Sequence, residues 1–355
     1  MSSGGAERQA SCLIRLLDRR GYKIRLVTYL DVPDEYPLPT SVERVRVAPG
    51  RGAAAKAAAT LWRLLRVKAD CLISYTQRCS VMALTAMLFR PRVTAIASER
   101  NTTDKPIGSE RILFGLLYRR ADYIVPNSHC QTRYILSKKK IYARKLVTIT
   151  NYLNLDDFPY QEPPRNPTPR IGVLARYEPV KNLERLAAAV SQLAGEPGIP
   201  PFVVEWHGDT TIKNQPNPHY LRYKETVERL GIAHKMLLLP RVSDVAATMA
   251  GLDAVCLPST REGFSNAISE AIACGKVVLA SGVSDNPVMV ADGQNGFIFN
   301  PFSVEEIKTA IRRFLSLTAE EREQMSRRSR LTAESLFAGD KFIDAYTALI
   351  EGKHS

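Results

Sequence analysis

Two carboxylates, Glu262 and Glu270, stand eight residues apart within residues 258–275, PSTREGFSNAISEAIACG. The pattern predicts a buried strand at residues 253–257, a Pro-Ser-Thr turn and a helix that opens at residues 263–266. The free N–H groups and positive dipole end of such a helix form an anion site. A carboxylate inside a cleft can accept both hydroxyls of a ribose. The alternative is that Glu270 is an ordinary helix-surface charge and Glu262 a first-turn acid favoured by the dipole.

Two cations, Arg176 and Lys181, lie in LARYEPVKN at residues 174–182, between a predicted strand and a predicted helix. A cation at a helix N-terminus opposes the dipole, so Lys181 is mildly unfavourable there unless it serves another purpose. A diphosphate is the obvious candidate, because each hydrogen bond to a charged partner contributes about 1.5–3 kcal/mol. A solvated loop pair is the alternative.

Short β-rich runs alternate with helical stretches in both halves of the 355 residues. The predicted strands are residues 23–30, 44–48, 71–75, 93–97, 123–126 and 146–149, and then 170–174, 202–206, 236–239, 253–257 and 277–280. This alternation predicts an α/β fold with parallel, doubly wound sheets. Between the halves, residues 159–169 hold five prolines. Such a segment cannot continue a helix or a central strand, so we expect a linker there.

The first predicted helix, residues 7–20, follows almost directly on Gly4 and Gly5. A Gly-rich turn that opens a helix normally follows a strand, and the sequence has no such strand ahead of this one. Either the sequence begins after its true N-terminus, or the sheet forms without a central strand. We expect the first of these, a truncation or a misplaced start.

The composition, 45% hydrophobic and 24% charged, is that of a soluble globular protein. No stretch approaches the roughly 20 consecutive apolar residues of a membrane-spanning helix, and residues 1–8 lack the apolar run of a secretory signal. The six cysteines are scattered without paired or metal-like spacing. We therefore expect a reduced, cytoplasmic protein without disulfides.

The net charge of +13 is concentrated in one half of the sequence. Residues 1–155 contain 27 Lys and Arg against 11 Asp and Glu, whereas the other 200 residues contain 22 against 25. A field of this size attracts nucleic acid, an acidic polymer or an anionic membrane surface. Candidate contacts are residues 138–140 with Arg144 and Lys145, and the mixed apolar and basic run 111–120, which alternatively is a core helix with a basic end.

Three stretches together resemble family 4 glycosyltransferases: SGGAERQ at residues 3–9, LARYEPVKN at 174–182 and EGFSNAISEAIACG at 262–275. The last matches the E-x7-E signature of that family, with Glu262 and Glu270 as its acids. Weaker pieces stand in the family's usual order: SERN at 98–101, PNS at 126–128, TITNYLN at 148–154 and DGQNGFIF at 292–299. The resemblance covers nearly the whole sequence.

The resemblance implies the GT-B fold, in which two Rossmann-like domains face a cleft, here with the first strand of the N-terminal domain missing. Residues 1–158 would bind the acceptor, residues 159–169 would be the linker and residues 170–338 would bind the nucleotide sugar. Residues 339–355 would form a C-terminal helix that packs back toward the first domain.

It also implies roles for single residues. Arg176 and Lys181 would neutralise the donor diphosphate, Glu270 would bind the ribose, and Glu262 would contact the donor sugar. Residues that would approach the phosphates or sugar through their backbone are Gly4, Gly5, Gly263, Phe264, Ser265 and Asn266. The family often has a histidine near the acceptor, but the corresponding loop here reads SERNTTDKP. Glu99, Arg100 and Asn101 are the acceptor-side candidates.

The implied reaction is the retaining transfer of a hexose or N-acetylhexosamine from a nucleotide-diphosphate sugar. The acceptor would be a glycan or a polyprenyl-linked sugar at the inner membrane face, in surface-polysaccharide or lipid-linked glycan synthesis. No Asp-x-Asp occurs in the sequence, so neither a metal nor a cofactor is expected. A sugar-nucleotide 2-epimerase of the same shape is the alternative. A nucleic-acid-binding module is a remote one, since no recognised nucleic-acid motif is present.

Overall fold

The computed structural model describes residues 5–29, 36–47, 52–100, 108–337 and 340–353. The chain divides into two compact units, the first comprising Met1–Tyr152 with Gly339–Ser355 and the second Leu153–Ala338. The division falls six residues ahead of the boundary predicted after residue 158. Both units alternate parallel strands with helices, which confirms the α/β class.

The first unit contains short strands and helices that occur in the order α1 (Gly5–Arg19), β1 (Arg25–Thr28), β2 (Glu43–Arg46), α2 (Ala53–Arg66), β3 (Cys71–Tyr75), α3 (Gln77–Met87), β4 (Thr94–Glu99), α4 (Gly108–Gly115), β5 (Tyr123–Pro126) and α5 (His129–Lys138). The strands form two separate parallel sheets, β1–β2 and β3–β4–β5. The strand predicted at residues 146–149 is only an isolated bridge from Leu146 to Ile124.

The second unit follows with β6 (Arg170–Leu174), α6 (Leu183–Ala194), β7 (Val203–Gly208), β8 (Thr211–Ile212), β9 (Gln215–Pro216), α7 (Pro218–Arg229), β10 (Met236–Pro240), α8 (Val245–Ala250), β11 (Ala254–Leu257), α9 (Asn266–Ala273), β12 (Val277–Ser281), α10 (Asn286–Met289), β13 (Gly296–Phe299), α11 (Val304–Leu315) and α12 (Ala319–Phe337). Six strands form one parallel sheet in the order β10-β7-β6-β11-β12-β13, and β8–β9 is a small antiparallel hairpin. This is the 3-2-1-4-5-6 order of a doubly wound sheet, whose switch point lies between β6 and β11.

Strand β12 shows why the second unit folds as a sheet between two helical layers. All five of its residues are buried, and alternate residues of a strand point to opposite faces. Val277 and Leu279 therefore join one apolar core, and Val278 and Ala280 join the other. A continuous apolar run of this kind is typical of a parallel strand covered on both sides.

The last helix, α13 (Lys341–Ile350), belongs to the first unit. Its Phe342 and Tyr346 share an apolar cluster with Leu13 and Leu17 of α1. An ion pair of 2.6 Å between Arg20 and Asp344 adds to this contact. The two ends of the described chain are thus joined within one core.

The Pro-rich segment at residues 159–169 is part of the second unit and is hydrogen-bonded to it. The Gln161 amide donates to the Cys274 carbonyl at 3.1 Å. The Asn166 side chain donates to an Asp253 carboxylate oxygen at 2.8 Å. The segment has no helix or strand of its own, in keeping with its prolines, but its polar groups fix it along the surface of this unit.

The helix predicted across residues 111–120 is interrupted. Helix α4 ends at Gly115, Leu116 leaves helical geometry at φ −134° and ψ −54°, and a 3₁₀ turn covers Leu117–Arg119. Gly115 favours an end at this point, because glycine weakens a helix by about 1 kcal/mol relative to alanine. After the break, Leu117 and Tyr118 pack in the core of the first unit. No helix in the described part of the chain is long and apolar enough to cross a membrane.

Candidate active site

Three loops meet at one edge of the six-stranded sheet. They follow β6, β11 and β12, which are neighbours in the sheet, and the carboxyl ends of parallel strands lie at the same edge. The first loop carries Arg176 and Lys181, the second carries Glu262, and the third begins at Gly282. Residues predicted from separate stretches of sequence are therefore placed side by side at the switch point.

Asn182 fixes the first loop to the second. Its backbone is left-handed, at φ 63° and ψ 36°, and its side chain is buried. The side-chain amide donates to the carbonyls of Pro258 at 2.9 Å and Pro301 at 2.7 Å, which uses both of its N–H groups. Nearby, the Thr260 amide donates to the Val180 carbonyl at 2.9 Å. The loop after β6 thus has one defined position against the loop after β11.

Lys181 and Glu262 form an ion pair across these two loops. The Lys181 Nζ lies 2.6 Å from Glu262 Oε1, and the two side chains are 16% and 12% exposed. Lys181 ends the 3₁₀ turn that precedes α6. Both side chains are largely buried, so removing one charge would leave the other unpaired and would destabilise the fold. The pair therefore places the positive charge of Lys181 at the edge of the sheet, where the negative charge of Glu262 balances it.

Arg176 lies on the same loop but in a different environment. Its side chain is 67% exposed, and its Nη1 lies 3.0 Å from Glu178 Oε1. An exposed pair of this kind contributes little to stability. The structure therefore brings Lys181 and Glu262 together, and leaves Arg176 in solvent with a different partner.

The start of α9 offers backbone N–H groups at the same edge. Ser265, the residue before the helix, gives no side-chain cap, because its hydroxyl donates to Asn286 Oδ1 at 2.5 Å instead. Ser284 donates to the Gly263 carbonyl, also at 2.5 Å. Two contacts, from Ser284 in the loop after β12 and from Asn286 at the start of α10, thus hold this segment in place. The arrangement is that of an anion site at a helix N-terminus.

Glu270 lies inside α9 and is only 6% exposed. The alternative that it is an ordinary surface charge is therefore wrong. A buried carboxylate on this helix suits a ligand with hydroxyl groups, since an ionised carboxylate only accepts hydrogen bonds. Phe264 is half-buried and packs edge to face against Phe337, with ring centroids 6.5 Å apart.

The sequence analysis missed Asn182, Ser284 and Asn286, which hold the site loops. Asn182 carried a usable signal, because asparagine tolerates left-handed backbone and stands just ahead of an apolar helix. Ser284 and Asn286 lie in GVSDNP, a turn-forming sequence whose contacts to α9 depend on how the loops are arranged in space. No local pattern predicts those contacts.

The acceptor-side candidates lie in the first unit. Glu99 ends β4 and is fully buried, and Arg100 is 5% exposed. Arg100 Nη1 donates to Asn151 Oδ1 at 2.9 Å, and its Nη2 donates to the Tyr346 hydroxyl at 2.6 Å. Its guanidinium also lies 4.8 Å from the centre of the Tyr75 ring, whose hydroxyl has its pKa raised by burial. Arg100 therefore ties α13 to the strands of this unit.

The remaining predicted site residues are Gly4, Gly5 and Asn101. Gly5 is the first residue of α1. Gly4 and Asn101 lie outside the described residues. Within the residues that are described, no group of three or more His, Cys, Asp or Glu side chains is arranged to hold a metal ion.

Comparison with known families matches both parts of the chain. Residues 156–332 match the family described as "Glycosyl transferases group 1", and residues 4–152 match "Glycosyl transferase 4-like domain". The chain is 28% identical over 180 residues to a D-inositol 3-phosphate glycosyltransferase of Mycobacterium marinum, covering 50% of this chain and 37% of that protein. It is 32% identical over 123 residues to one of Mycobacterium tuberculosis, covering 34% and 26%. The matches thus span well under half the length of these relatives.

Solved structures match over almost the entire chain. A glycosyltransferase from Rickettsia africae aligns at TM-score 0.82 and 16% identity, covering 99% of this chain and 96% of that one. Anabaena HepE in complex with UDP and glucose aligns at 0.82 and 18%, covering 99% and 96%. The lipopolysaccharide outer core galactosyltransferase WaaB aligns at 0.76 and 17%, covering 99% and 97%. At these identities the likeness concerns the fold, and it confirms the predicted GT-B class.

Replacing Asn182 tests whether it fixes the site loops. Asn182→Ala should destabilise the second unit by about 2 kcal/mol or more, because two buried carbonyls lose their donor and alanine is strained in left-handed backbone. Asn182→Gly removes the same hydrogen bonds without that strain, so it should be more stable than the alanine variant by about 1 kcal/mol. The measurement is urea unfolding followed by Trp206 fluorescence in a Trp62→Phe background, since these are the two tryptophans. Equal midpoints for both variants and the parent would contradict the assignment.

Proposed function

Because the chain belongs to the group 1, family 4-like glycosyltransferases, we propose that it transfers a sugar from a nucleotide-diphosphate donor to an acceptor. The observation that carries this proposal is the Lys181–Glu262 pair beside the uncapped start of α9. A cation and a helix N-terminus at the switch point of a doubly wound sheet together suit a diphosphate. Buried Glu270 on the same helix suits a ribose.

The donor is proposed to be a UDP-hexose or UDP-N-acetylhexosamine. The structural neighbour HepE is described in complex with UDP and glucose, which supports uridine among the bases. The diphosphate would lie between Lys181 and the amides at the start of α9, and Glu270 would accept the ribose hydroxyls. Arg176 is solvent-exposed, so its long side chain can turn from Glu178 to the same diphosphate.

The proposed reaction retains the configuration of the transferred carbon. The bond between that carbon and the donor phosphate breaks, the acceptor oxygen bonds to the same face, and the leaving phosphate takes the acceptor proton. Negative charge develops on the diphosphate as the bond breaks. Lys181 and the α9 amides are fixed before the reaction, so they stabilise that charge without reorganising. Under this proposal these groups and Arg176 do the neutralising, with neither metal nor cofactor.

The acceptor is proposed to be a glycan or a polyprenyl-linked sugar presented at an anionic membrane surface. The excess of 27 Lys and Arg over 11 Asp and Glu lies in residues 1–155, and all of these charged residues belong to the first unit. Each such cation near an anionic leaflet contributes about 1 kcal/mol. Glu99 remains the acceptor-side candidate there, whereas Arg100 would act by holding the surrounding strands and α13 in place.

An exposed apolar corner of the first unit supports membrane contact. It consists of Trp62 and Leu65 on α2 with Leu88 and Phe89 after α3, and Phe89 is 74% exposed. The Arg90 Nη1 donates to the Leu64 carbonyl at 3.0 Å, so the ends of α2 and α3 lie together. The Arg66 guanidinium lies 4.4 Å from the Trp62 ring centre. Large apolar side chains among arginines are typical of surfaces that enter the lipid interface.

Thermal stabilisation by nucleotides tests the donor site. UDP and UDP-sugars should raise the melting temperature, because a ligand at a hundredfold excess over Kd stabilises the folded state by about 2.7 kcal/mol. The panel includes GDP, GDP-sugars and ADP, each with and without EDTA. A shift that EDTA abolishes would contradict metal-free binding, and a shift with GDP alone would contradict the uridine assignment.

Two variants test whether the nucleotide that raises the melting temperature binds at Glu270. Glu270→Gln should lower the affinity for UDP about tenfold or more, since a hydrogen bond to a charged group contributes about 1.5–3 kcal/mol. Glu225→Gln on α7 is the matched control, because Glu225 is exposed. Equal affinities for the two variants would remove Glu270 from the site. Consumption of UDP-sugar without any acceptor would favour an epimerase instead.

Lys181 should matter for turnover. Lys181→Met should lower kcat about a hundredfold or more, as removing one preorganised donor to a developing anion does. It also leaves Glu262 unpaired, so the double variant Lys181→Met/Glu262→Gln separates charge imbalance from lost catalysis. If the double variant recovers wild-type turnover, Lys181 does not act on the leaving group.

Vesicle binding tests the apolar corner. Trp62→Ser/Phe89→Ser should weaken binding to vesicles with anionic lipid about tenfold or more, because burying one such side chain contributes about 1.5–3 kcal/mol. Phe302→Ser/Leu331→Ser is the control, since both residues are 63% exposed in the second unit. Binding should fall as salt rises. Equal losses in both pairs, or tighter binding to RNA than to vesicles, would contradict the membrane proposal.

A further inference from the structure

His207, near the end of β7, is a buried polar residue that the site described above does not use. Its side chain is 11% exposed, and its Nε2 is buried without a hydrogen-bond partner among the described residues. The Glu205 Oε2 atom lies 3.5 Å from this nitrogen, but both Glu205 oxygens already accept from Arg170, at 2.7 and 3.0 Å. A buried polar group without a partner requires an explanation, which a ligand can supply.

His207 points to the face of the six-stranded sheet that α9 covers. Val204 and Trp206 of β7 belong to the apolar core on one side of this sheet. Because alternate residues of a strand point to opposite faces, His207 points to the other side. Ile268 and Ala271 of α9 belong to the core on that other side. His207 therefore shares one face of the sheet with the helix whose start is uncapped.

Two leucines flank His207 on the neighbouring strands. In the parallel register, His207 lies opposite Leu174 of β6 and opposite Leu239 of β10, and both leucines are half-buried. Leu174 packs against the core on the α9 side. Leu238 packs against the other core, so its neighbour Leu239 points to the α9 side. We call these three side chains, Leu174, His207 and Leu239, the β6–β7–β10 floor. Its apolar ends and polar centre suit a planar ring with apolar faces and a hydrogen-bonding edge.

The end of β7 is fixed against the loop that carries Arg176 and Lys181. The Ala175 amide, at the start of this loop, donates to the His207 carbonyl at 3.1 Å. A Cβ atom on Gly208 would lie 2.5 Å from the Ala175 carbonyl oxygen, so this close approach requires glycine. Backbone contacts therefore set the position of His207 relative to the two cations of the loop.

The floor lies at a suitable distance from the start of α9 for one nucleotide to reach both. Helix α9 follows β11, and the strands β11, β6 and β7 are consecutive in the sheet. Neighbouring strands are about 4.8 Å apart, so β7 lies about 10 Å from β11. A nucleoside diphosphate with its phosphates at the start of α9 and its ribose at Glu270 can therefore extend its base across β6 to the floor.

We propose that His207 contacts the base of the donor nucleotide and selects for uracil over cytosine, an inference that rests on the proposed donor site. The Glu205 carboxylate lies beside Nε2, which favours the tautomer with its proton on that nitrogen and leaves Nδ1 as an acceptor. An imidazole in this form accepts a hydrogen bond from the N3–H group of uracil. The N3 atom of cytosine carries no proton, so cytosine loses this bond. Leu174 and Leu239 contact one face of the ring.

Binding titrations with UDP, CDP and inorganic diphosphate on the full chain test the proposal. The parent chain should bind UDP more tightly than CDP. His207→Leu should weaken UDP binding about fivefold or more, as the loss of one hydrogen bond does, and should remove most of the preference over CDP. Inorganic diphosphate has no base, so its affinity should be unchanged, which also shows that the variant is folded.

Two further variants act as controls. His207→Asn should retain most of the affinity for UDP, because the amide oxygen of asparagine can take the place of Nδ1. His234→Leu makes the same chemical change as His207→Leu at an exposed histidine in the turn ahead of β10. It should bind UDP as tightly as the parent chain does.

Four outcomes would overturn the proposal. If His207→Leu binds UDP as tightly as the parent chain does, His207 does not contact the base, although the donor site itself stands. Equal losses for UDP and inorganic diphosphate would mean that His207 acts by positioning the neighbouring loop. Equal or tighter binding of CDP by the parent chain would contradict the hydrogen bond to N3. No binding of any of the three ligands by the parent chain would contradict the proposed donor site, and this inference with it.

Discussion

The site depends first on the side-chain amide of Asn182. Its two N–H groups join the loop after β6 to the carbonyls of Pro258 and Pro301, and these residues precede α9 and α11. Strand pairing aligns β6 with β11 but does not fix the loops beyond their ends. The Asn182 amide fixes these loops from a buried position, where water does not compete for its hydrogen bonds. Removing the amide would leave two buried carbonyls without a donor, which destabilises the fold. The 2.6 Å contact between Lys181 and Glu262 requires this alignment.

The charges then explain why the site suits an anion. Lys181 sits where the dipole of α6 disfavours a cation, and Glu262 compensates for it across the loop boundary. The start of α9 has no side-chain cap. Ser265, the residue before the helix, donates its hydroxyl to Asn286 instead. Under the proposed function, a phosphate at the start of α9 would give Lys181 a second partner, and the surrounding burial would strengthen that attraction relative to water.

The sequence predicted the parts whose signal is local. Strands at residues 71–75, 123–126 and 170–174 have the bounds that the structure gives, because continuous apolar runs between turn residues mark parallel strands. The E-x7-E run located α9 to within a few residues. Burial of Glu270 was not predictable, since a glutamate inside a helix reads as solvated until the packing of α9 is known. The contacts of Ser284 and Asn286 join residues about 20 positions apart, and only the order of strands brings them together.

Within the first unit, Arg100 is linked to α1 through α13. A two-stranded sheet such as β1–β2 has little stability alone. Helix α1 packs in one apolar cluster with α13, β4 and β5, and the Gln9 side chain makes two hydrogen bonds with the Tyr152 backbone. Helix α13 is in turn held by the Tyr346 hydroxyl, which accepts from Arg100 next to β4. Arg100 thus fixes the helix on which α1 packs, whereas in the second unit the Asn182 amide fixes the site loops directly.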